Sequence, residues 1–109
     1  MKVFKFGGAS VKDAAGVKNI LRVLRKTGFE DTLIVVSAMG KTTNALEQMV
    51  HSFFENKEQF PKDLEKVRED HYHIIEDLFE FESGATKQKV NTLFESILTF
   101  LKATNSNDY

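Results

Sequence analysis

Residues 5–11 combine a lysine, glycines and a hydroxyl side chain in a way that suits an anionic ligand. Their sequence is KFGGASV, so the lysine stands just before two adjacent glycines. Glycine lets a phosphate approach backbone N–H groups that a Cβ atom would shield, and lysine adds a mobile positive charge. The alternative is a plain strand-to-helix turn, since paired glycines are common there. The lysine and the basic charge of this part of the chain favour the phosphate interpretation.

A second polar segment, residues 37–44, has the sequence SAMGKTTN and follows an apolar run at 32–36. Ligands in open α/β sheets bind at the carboxyl ends of the strands, which is where this segment would lie. Its Gly-Lys-Thr imitates the end of a P-loop, but Val35 stands where a P-loop requires its first glycine. We therefore reject a P-loop. The hydroxyl groups of this segment are suited to ligand contacts. The alternative is that one of residues 42–44 caps the following helix.

The three histidines are the remaining candidates for chemistry. His71 and His73 are two residues apart on a predicted helix, so they face different directions, while His73 and Asp77 are spaced to form a pair. Metal binding needs convergent ligands, and no ligand pair recurs on another element at a recognisable spacing. The pattern favours structural or surface roles for His51, His71 and His73, and we predict no metal site.

The elements that would position the two polar segments form a βαβ unit. Residues 2–6 alternate as a short strand does, and Asp13 is placed to cap a helix that ends near Gly28. The continuous apolar run at 32–36 is typical of a strand that is buried on both faces of a parallel sheet. A strand, a helix and a strand within about 35 residues predict two parallel strands joined by a helical crossover.

Three amphipathic helices are predicted after residue 43. Pro61 is placed to open the second of them, and Ser83 with Gly84 separates the second from the third. Each helix carries apolar side chains at helical spacing, which we interpret as core faces. The predicted core positions are Leu46, Met49, Val50, Phe53 and Phe54; then Leu64, Val67, His71, Ile74, Ile75 and Leu78; then Val90, Leu93, Phe94, Ile97, Leu98 and Leu101.

Composition excludes several classes of protein. With 109 residues the chain forms one domain at most, and 41% hydrophobic residues are enough for a core. Cysteine is absent, which excludes disulfides and thiol chemistry, and no apolar run approaches the ~20 residues that span a bilayer. The N-terminus lacks an apolar signal core, so we expect a cytoplasmic protein without a membrane partner.

The charge is distributed unevenly along the chain. The net charge of −1 argues against nucleic acid as a partner of the whole chain. Residues 1–41 carry eight basic and three acidic side chains, a net charge of +5, whereas residues 42–109 carry seven and thirteen, a net charge of −6. A basic N-terminal part suits an anionic ligand. The acidic remainder is interpreted as solvated helix surface.

The predicted architecture is incomplete for an independent α/β domain. Two strands do not make a stable parallel sheet, and a strand buried on both faces needs further strands and helices around it. We therefore expect this chain to be the N-terminal piece of a larger protein. The alternative is a small helical domain that carries a strand-helix appendage and completes itself by forming oligomers.

The two polar segments together resemble a known family. Residues 5–11 resemble the N-terminal signature of aspartate kinases, usually KFGG(T/S)SV, and residues 35–44, VVSAMGKTTN, resemble the second motif of the same family. The two motifs stand in the family's order and at about its separation, and the resemblance extends over the helices by pattern. Ala9 departs from the signature, since the family usually has a hydroxyl side chain there, and one polar contact is missing or replaced by water.

This resemblance implies a fold and a reaction. The fold would be the N-terminal βαβ piece of an amino-acid-kinase αβα sandwich, over residues 1–44, followed by a helical segment over residues 45–104. The reaction would transfer the γ-phosphate of ATP to the side-chain carboxylate of L-aspartate, on the route to lysine, threonine and methionine. ATP would bring Mg²⁺ with it, and the enzyme would be a homo-oligomer. The isolated 109-residue piece would be inactive.

The resemblance also assigns roles to individual residues. Lys5 would stabilise the charge of the transferred phosphoryl group, and Ser37 and Thr43 would hold the aspartate. Backbone N–H groups near the glycine pair would bind the ATP phosphates; these residues are Gly7, Gly8, Ala9 and Ser10.

Two other functions stay open from the sequence. One is another amino-acid or carboxylate kinase of the same fold, although residues 37–44 disfavour it. The other is a non-catalytic helical interaction module built on residues 44–104, in which the motif residues would be remnants.

Overall fold

The computed structural model describes residues 1–104, which divide into two compact units. The first unit is Met1–Thr42 and the second begins at Thr43. Two strands and a helix make up the first unit, and three helices follow. The elements are β1 (Lys2–Phe6), a short 3-10 helix (Gly8–Val11), α1 (Ala14–Thr27), β2 (Thr32–Val36), α2 (Thr42–Glu55), α3 (Phe60–Phe79) and α4 (Gly84–Lys102).

The first unit is the predicted βαβ unit. β1 and β2 pair in parallel, from Lys2 opposite Thr32 to Phe6 opposite Val36. Between them, α1 begins at an Asp13 cap, whose carboxylate accepts a hydrogen bond of 2.8 Å from the Gly16 N–H. A side-chain acceptor at this position satisfies an amide that has no partner within the helix. The prediction of an α/β chain with parallel strands and a helical crossover is thus confirmed.

Within residues 1–104 the sheet has two strands, and most of the apolar side chains of β2 are exposed. Leu33, Val35 and Val36 are 51%, 43% and 55% exposed, although their sequence predicts a strand buried on both faces. On β1 the two faces differ, because Phe4 and Phe6 are half-buried whereas Val3 is exposed. A parallel sheet is normally covered on both faces, so this exposure is typical of an incomplete α/β domain. Within the described residues, β2 is therefore not buried on both faces as its sequence predicted.

The second unit has a core of its own, to which all three of its helices contribute. Met49 of α2, Leu64 and Val67 of α3, and Phe94 of α4 form one buried cluster. The apolar spacing of the three helices predicted this core. The prediction was wrong for Leu93, which is 63% exposed, because the buried stripe of α4 is narrower than the apolar pattern of its sequence. Leu21 of α1, which also follows a helical pattern, is likewise 48% exposed.

Polar contacts join α2 to α3. Ser52 is 1% exposed, and its hydroxyl donates a hydrogen bond to the carboxylate of Asp63 in the first turn of α3. The side chain of Gln59 donates a second hydrogen bond to the same carboxylate, at 2.9 Å. The hydrogen bonds from Gln59 and then Ser52 lower the pKa of Asp63, because they stabilise its charged form.

The contacts between α3 and α4 are also partly polar. Lys87 forms an ion pair with Glu76, and its ammonium group lies 5.6 Å from the centre of the Tyr72 ring. The hydrogen bond from Lys87 lowers the pKa of Glu76. Among the described residues, no helix has the length and apolar character that a membrane crossing requires.

Candidate functional site

The two polar segments meet at one edge of the sheet. Because β1 and β2 are parallel and in register, both end at the same edge, with Phe6 opposite Val36. The Ser37 N–H donates a hydrogen bond of 3.0 Å to the Phe6 carbonyl, which extends the pairing by one step. A Cβ atom at Gly7 would lie 3.3 Å from the Ser37 hydroxyl oxygen. The glycine at this position therefore leaves room for a side chain from the second segment.

The glycine pair turns the chain from β1 into the 3-10 helix. Gly8 has a φ of +56°, which L side chains rarely adopt, whereas Gly7 is extended. The Ser10 N–H closes the turn by donating to the Gly7 carbonyl at 3.1 Å. The Ser10 amide is therefore used within the turn. The amides of Gly8 and Ala9 come before the first i→i+3 hydrogen bond of the 3-10 helix, so the helix does not use them. Gly8, Ala9 and Ser10 are all exposed, so a ligand can reach this turn.

Gly16 supports the turn from the first part of α1, and sequence reasoning missed it. A Cβ atom there would lie 2.5 Å from the Ser10 carbonyl oxygen and 3.3 Å from that of Ala9. Any side chain would force the backbone of the turn to move, because 2.5 Å is far inside van der Waals contact. Gly16 also donates its N–H to Asp13, so helix cap and turn are packed together. A glycine inside a predicted helix, at a cost in helix propensity, was the available signal.

The second segment forms a tight turn before α2. The Thr42 N–H donates to the Met39 carbonyl at 3.0 Å, and the Thr42 hydroxyl donates to the same oxygen. Gly40 has a φ of +52°, and a Cβ atom there would lie 3.6 Å from the Lys12 carbonyl oxygen. The turn therefore passes close to the connection that leads into α1. Ser37 is exposed, and its hydroxyl contacts the Ala38 carbonyl at 3.3 Å.

Lys5 and Thr43 are both accessible to a ligand. Lys5 is exposed and pairs with Val35, one step before the ends of the strands. It lies on the face of β1 opposite the half-buried Phe4 and Phe6, since neighbouring side chains of a strand alternate. Thr43 is exposed as the second residue of α2, and it is the first residue of the second unit. The first unit thus contains every predicted site residue except Thr43.

The three histidines belong to the second unit. His71 is half-buried on α3, where its Nδ1 atom is 2.8 Å from the Val67 carbonyl oxygen and its ring packs against the Phe94 ring in a T-shaped arrangement. His73 is exposed and near Glu76. Within residues 1–104, no group of three or more histidine, aspartate or glutamate side chains is arranged to hold a metal ion.

Comparison with curated proteins links the chain to aspartokinases. It is 35% identical to aspartokinase 1, chloroplastic, of Arabidopsis thaliana over 80 residues, which is 70% of this chain and 14% of that protein. It is 48% identical to aspartokinase 2, chloroplastic, of the same plant over 44 residues, 40% of this chain and 8% of that protein. The bifunctional aspartokinase/homoserine dehydrogenase 1, also chloroplastic, is 32% identical over 78 residues, 72% of this chain and 9% of that protein.

These matches confirm the resemblance to aspartate kinases that the two motifs indicated. The matched relatives are aspartokinases or bifunctional aspartokinase/homoserine dehydrogenases. No protein-family model matches the chain. The chain spans between 8% and 14% of the length of these relatives, so it corresponds to a small part of each.

Proposed function

We propose that this chain is part of the catalytic domain of an aspartate kinase and supplies its phosphate-facing edge. The observation that carries the proposal is the meeting of the two motif segments at one sheet edge. There the position of a Gly7 Cβ atom is 3.3 Å from the Ser37 hydroxyl oxygen. The similarity to proteins named aspartokinases favours aspartate as the phosphate acceptor over other carboxylates.

In the proposed reaction an aspartate side-chain carboxylate attacks the γ-phosphorus of ATP. A new P–O bond forms to the carboxylate, the bond to the bridging oxygen breaks, and ADP leaves with the electron pair. The carboxylate is already ionised at neutral pH, so the step needs no catalytic base. Catalysis then depends on positioning and on stabilising charge, which lysine and backbone N–H groups supply.

Individual residues take the following parts in this proposal. Lys5 stabilises the transferred phosphoryl group from its exposed position near the end of β1. The amides of Gly8 and Ala9 are available to ATP phosphates, and Gly7 and Ser10 shape the turn that presents them. Ser37 and Thr43 hold the aspartate. Mg²⁺ would accompany ATP and supply charge screening at the phosphates, and we assign no ligand to it from this chain.

The chain by itself is proposed to be inactive as a kinase. It spans at most 14% of the length of the matched relatives, and the sheet in its described part has two strands. Phosphoryl transfer requires both reactants to be held in line, so a binding edge without its remaining partners is insufficient. A cytoplasmic location and a homo-oligomeric kinase stay predictions.

The second candidate is a non-catalytic helical interaction module. The observation that favours it is the separate core of the second unit, where Met49 is fully buried against side chains of α3 and α4. Such a module would leave the sheet edge without a role. Loss of activity after a change at that edge therefore distinguishes the two functions.

The test is Lys5→Ala in the full-length kinase, assayed by aspartate-dependent ADP release. We expect turnover to fall about 100-fold, since one charge-stabilising group in a closed site contributes about 3 kcal/mol. The Michaelis constant for aspartate should change much less. Lys5→Arg should also fail, because the guanidinium group is bulkier and differs in geometry.

Lys2→Ala is the matched control, since it removes another exposed lysine from the same strand. Lys2 lies at the opposite end of β1, where its ammonium group donates to the Thr27 carbonyl at 3.2 Å. Its loss should leave turnover within a few-fold of the original. Near-normal turnover of Lys5→Ala would contradict the proposed role.

A further inference from the structure

Two further lysines lie beside the glycine turn, and the proposed reaction does not use them. Lys12 follows the 3-10 helix Gly8–Val11, and Lys41 follows Gly40 in the turn before α2. Both side chains are exposed, and both residues belong to the first unit. A Cβ atom at Gly40 would lie 3.6 Å from the Lys12 carbonyl oxygen, so the backbones that carry the two lysines pass close to each other.

The backbone around each of these lysines is held in place. Before Lys12, the Val11 side chain is 1% exposed, and after it Asp13 caps α1. Directly after Lys41, the Thr42 N–H closes the turn with a hydrogen bond of 3.0 Å. Binding a ligand would therefore order two side chains but not the backbones that carry them, which keeps the entropic cost small.

The lysines of this edge are not used in ion pairs. Within residues 1–104, the ion pairs involve none of Lys5, Lys12 and Lys41. Asp13 is next to Lys12 in the chain, and its carboxylate accepts the hydrogen bond that caps α1. Like charges on neighbouring turns repel each other, and an anion that contacts several of them relieves this repulsion. A chain of phosphates is such an anion.

We propose that Lys12 and Lys41 bind the phosphates of ATP that are not transferred, an inference that rests on the proposed function. Lys5 comes before the amides of Gly8 and Ala9 in the chain and Lys12 comes after them, so cations stand on both sides of the glycine turn. In this proposal the terminal phosphate lies at Lys5, and the remaining phosphates extend along the turn towards Lys12 and Lys41. The pair then contributes to ATP affinity, whereas Lys5 contributes to turnover.

Lys12→Gln with Lys41→Gln in the full-length kinase tests this assignment, because glutamine removes the charge and keeps a polar side chain. Titration calorimetry should show ATP affinity falling about tenfold, since two exposed charge contacts are lost. The Michaelis constant for ATP should rise with it. Turnover and the Michaelis constant for aspartate should change less than about twofold, because the lost contacts are equal in the ground state and the transition state.

Two readouts separate a charge effect from a structural one. Lys12→Arg with Lys41→Arg should keep ATP affinity within about threefold of the original, since a contact that needs only charge tolerates either cation. Raising the salt from about 0.05 M to about 0.5 M should weaken ATP binding more in the original kinase than in the glutamine variant, because salt screens charge contacts. An arginine variant as weak as the glutamine variant, or equal salt dependence of the two proteins, would refute the charge contacts.

Lys2→Gln with Lys26→Gln is the matched control. It removes the same two charges from exposed lysines of the first unit. These lie at the opposite end of the sheet, where the Lys2 ammonium group donates to the Thr27 carbonyl at 3.2 Å. ATP affinity of the control should equal that of the original kinase. An equal loss in the control would show a general effect of net charge and would contradict the proposal.

The outcomes distinguish this inference from the proposed function. If the original kinase releases ADP in response to aspartate and the glutamine variant keeps its ATP affinity, the assignment of Lys12 and Lys41 alone is overturned. A rise confined to the Michaelis constant for aspartate would place these lysines at the other substrate and would also overturn it. Absence of aspartate-dependent release by the original kinase would overturn the proposed function, and this inference with it.

Discussion

Thr43 is the one proposed ligand contact that lies on an α-helix. Its side chain is exposed in the first turn of α2, and its proposed partner is the aspartate substrate. In the full-length kinase, Thr43→Ala should weaken aspartate binding about 10- to 100-fold, since a hydrogen bond to a charged group contributes about 1.5–3 kcal/mol. Titration calorimetry with aspartate and with ATP measures this directly.

ATP affinity of the Thr43→Ala variant should stay nearly unchanged. Thr99→Ala serves as the control, because Thr99 is an exposed threonine of α4 whose hydroxyl donates to the Glu95 carbonyl of its own helix. Lost nucleotide affinity with unchanged aspartate affinity would show that the assignment of Thr43 is wrong.

Gly16 tests whether the glycine turn depends on close packing. Gly16→Ala should raise helix propensity by about 1 kcal/mol, but it places a methyl group 2.5 Å from the Ser10 carbonyl oxygen. Overpacking against backbone costs about 1–3 kcal/mol, so we expect net destabilisation and a displaced Ala9–Ser10 turn. Amide chemical shifts of residues 8–11 report the displacement. A more stable variant with unchanged shifts would contradict this packing.

The residues of the candidate site were not equally predictable from the amino-acid sequence. Lys5, Gly7 and Ser37 could be found because they lie near or directly after the ends of recognisable strands. The closeness of Gly7 to Ser37 could be expected from parallel pairing, but its distance depends on the register. Gly16 gave only a weak signal, since its role arises from a backbone contact six residues back along the chain.

At the scale of elements, the contact between α2 and α3 depends on an ionised Asp63. Its pKa is lowered by hydrogen bonds from Gln59 and Ser52, so the folded state favours the charged form. This contribution to stability is fully present above the ordinary pKa of 3.8 and is lost as the pH falls through the lower value of the folded chain. Asp63→Asn should therefore cost about 1 kcal/mol at pH 7 and progressively less below pH 3.8.

Urea unfolding followed by circular dichroism at neutral and acid pH measures this difference. Asp70→Asn is the matched control, since Asp70 is an exposed carboxylate of the same helix that pairs with Lys66. It should cost at most about 0.5 kcal/mol, as exposed pairs four residues apart do. A pH-independent effect of Asp63→Asn would exclude the charge as its cause.

The elements themselves could be predicted because their signals are local. Asp13 caps α1 and Pro61 lies in the first turn of α3, as their positions in the sequence indicated. Burial of individual positions was harder, since it depends on which neighbours are present. Leu21 and Leu93 follow helical spacing, yet each lies at the margin of its stripe, where no described element covers it.

For the whole molecule, the 109-residue chain should show no aspartate-dependent ADP release with Mg·ATP. The proposed phosphate-facing edge is accompanied, within the described residues, by two strands of sheet, which are too few to align both reactants. The four α-helices of residues 1–104 agree with the expectation that the chain is largely helical. The Leu33–Val36 stretch of β2 should also favour strand pairing between copies at high salt. Turnover by the purified chain would overturn the first expectation, and a strict monomer at all salt concentrations the second.

The connection between α1 and β2 lies at the end of the sheet farthest from Gly7 and Ser37. Phe29 and Glu30 are exposed there, and β2 begins at Thr32, opposite Lys2 at the start of β1. Strand pairing, rather than the length of this connection, fixes the register that joins the two polar turns. Inserted residues between Phe29 and Glu30 would therefore be accommodated at the surface, which makes this connection a place to introduce a peptide tag or a fluorophore without moving the opposite edge.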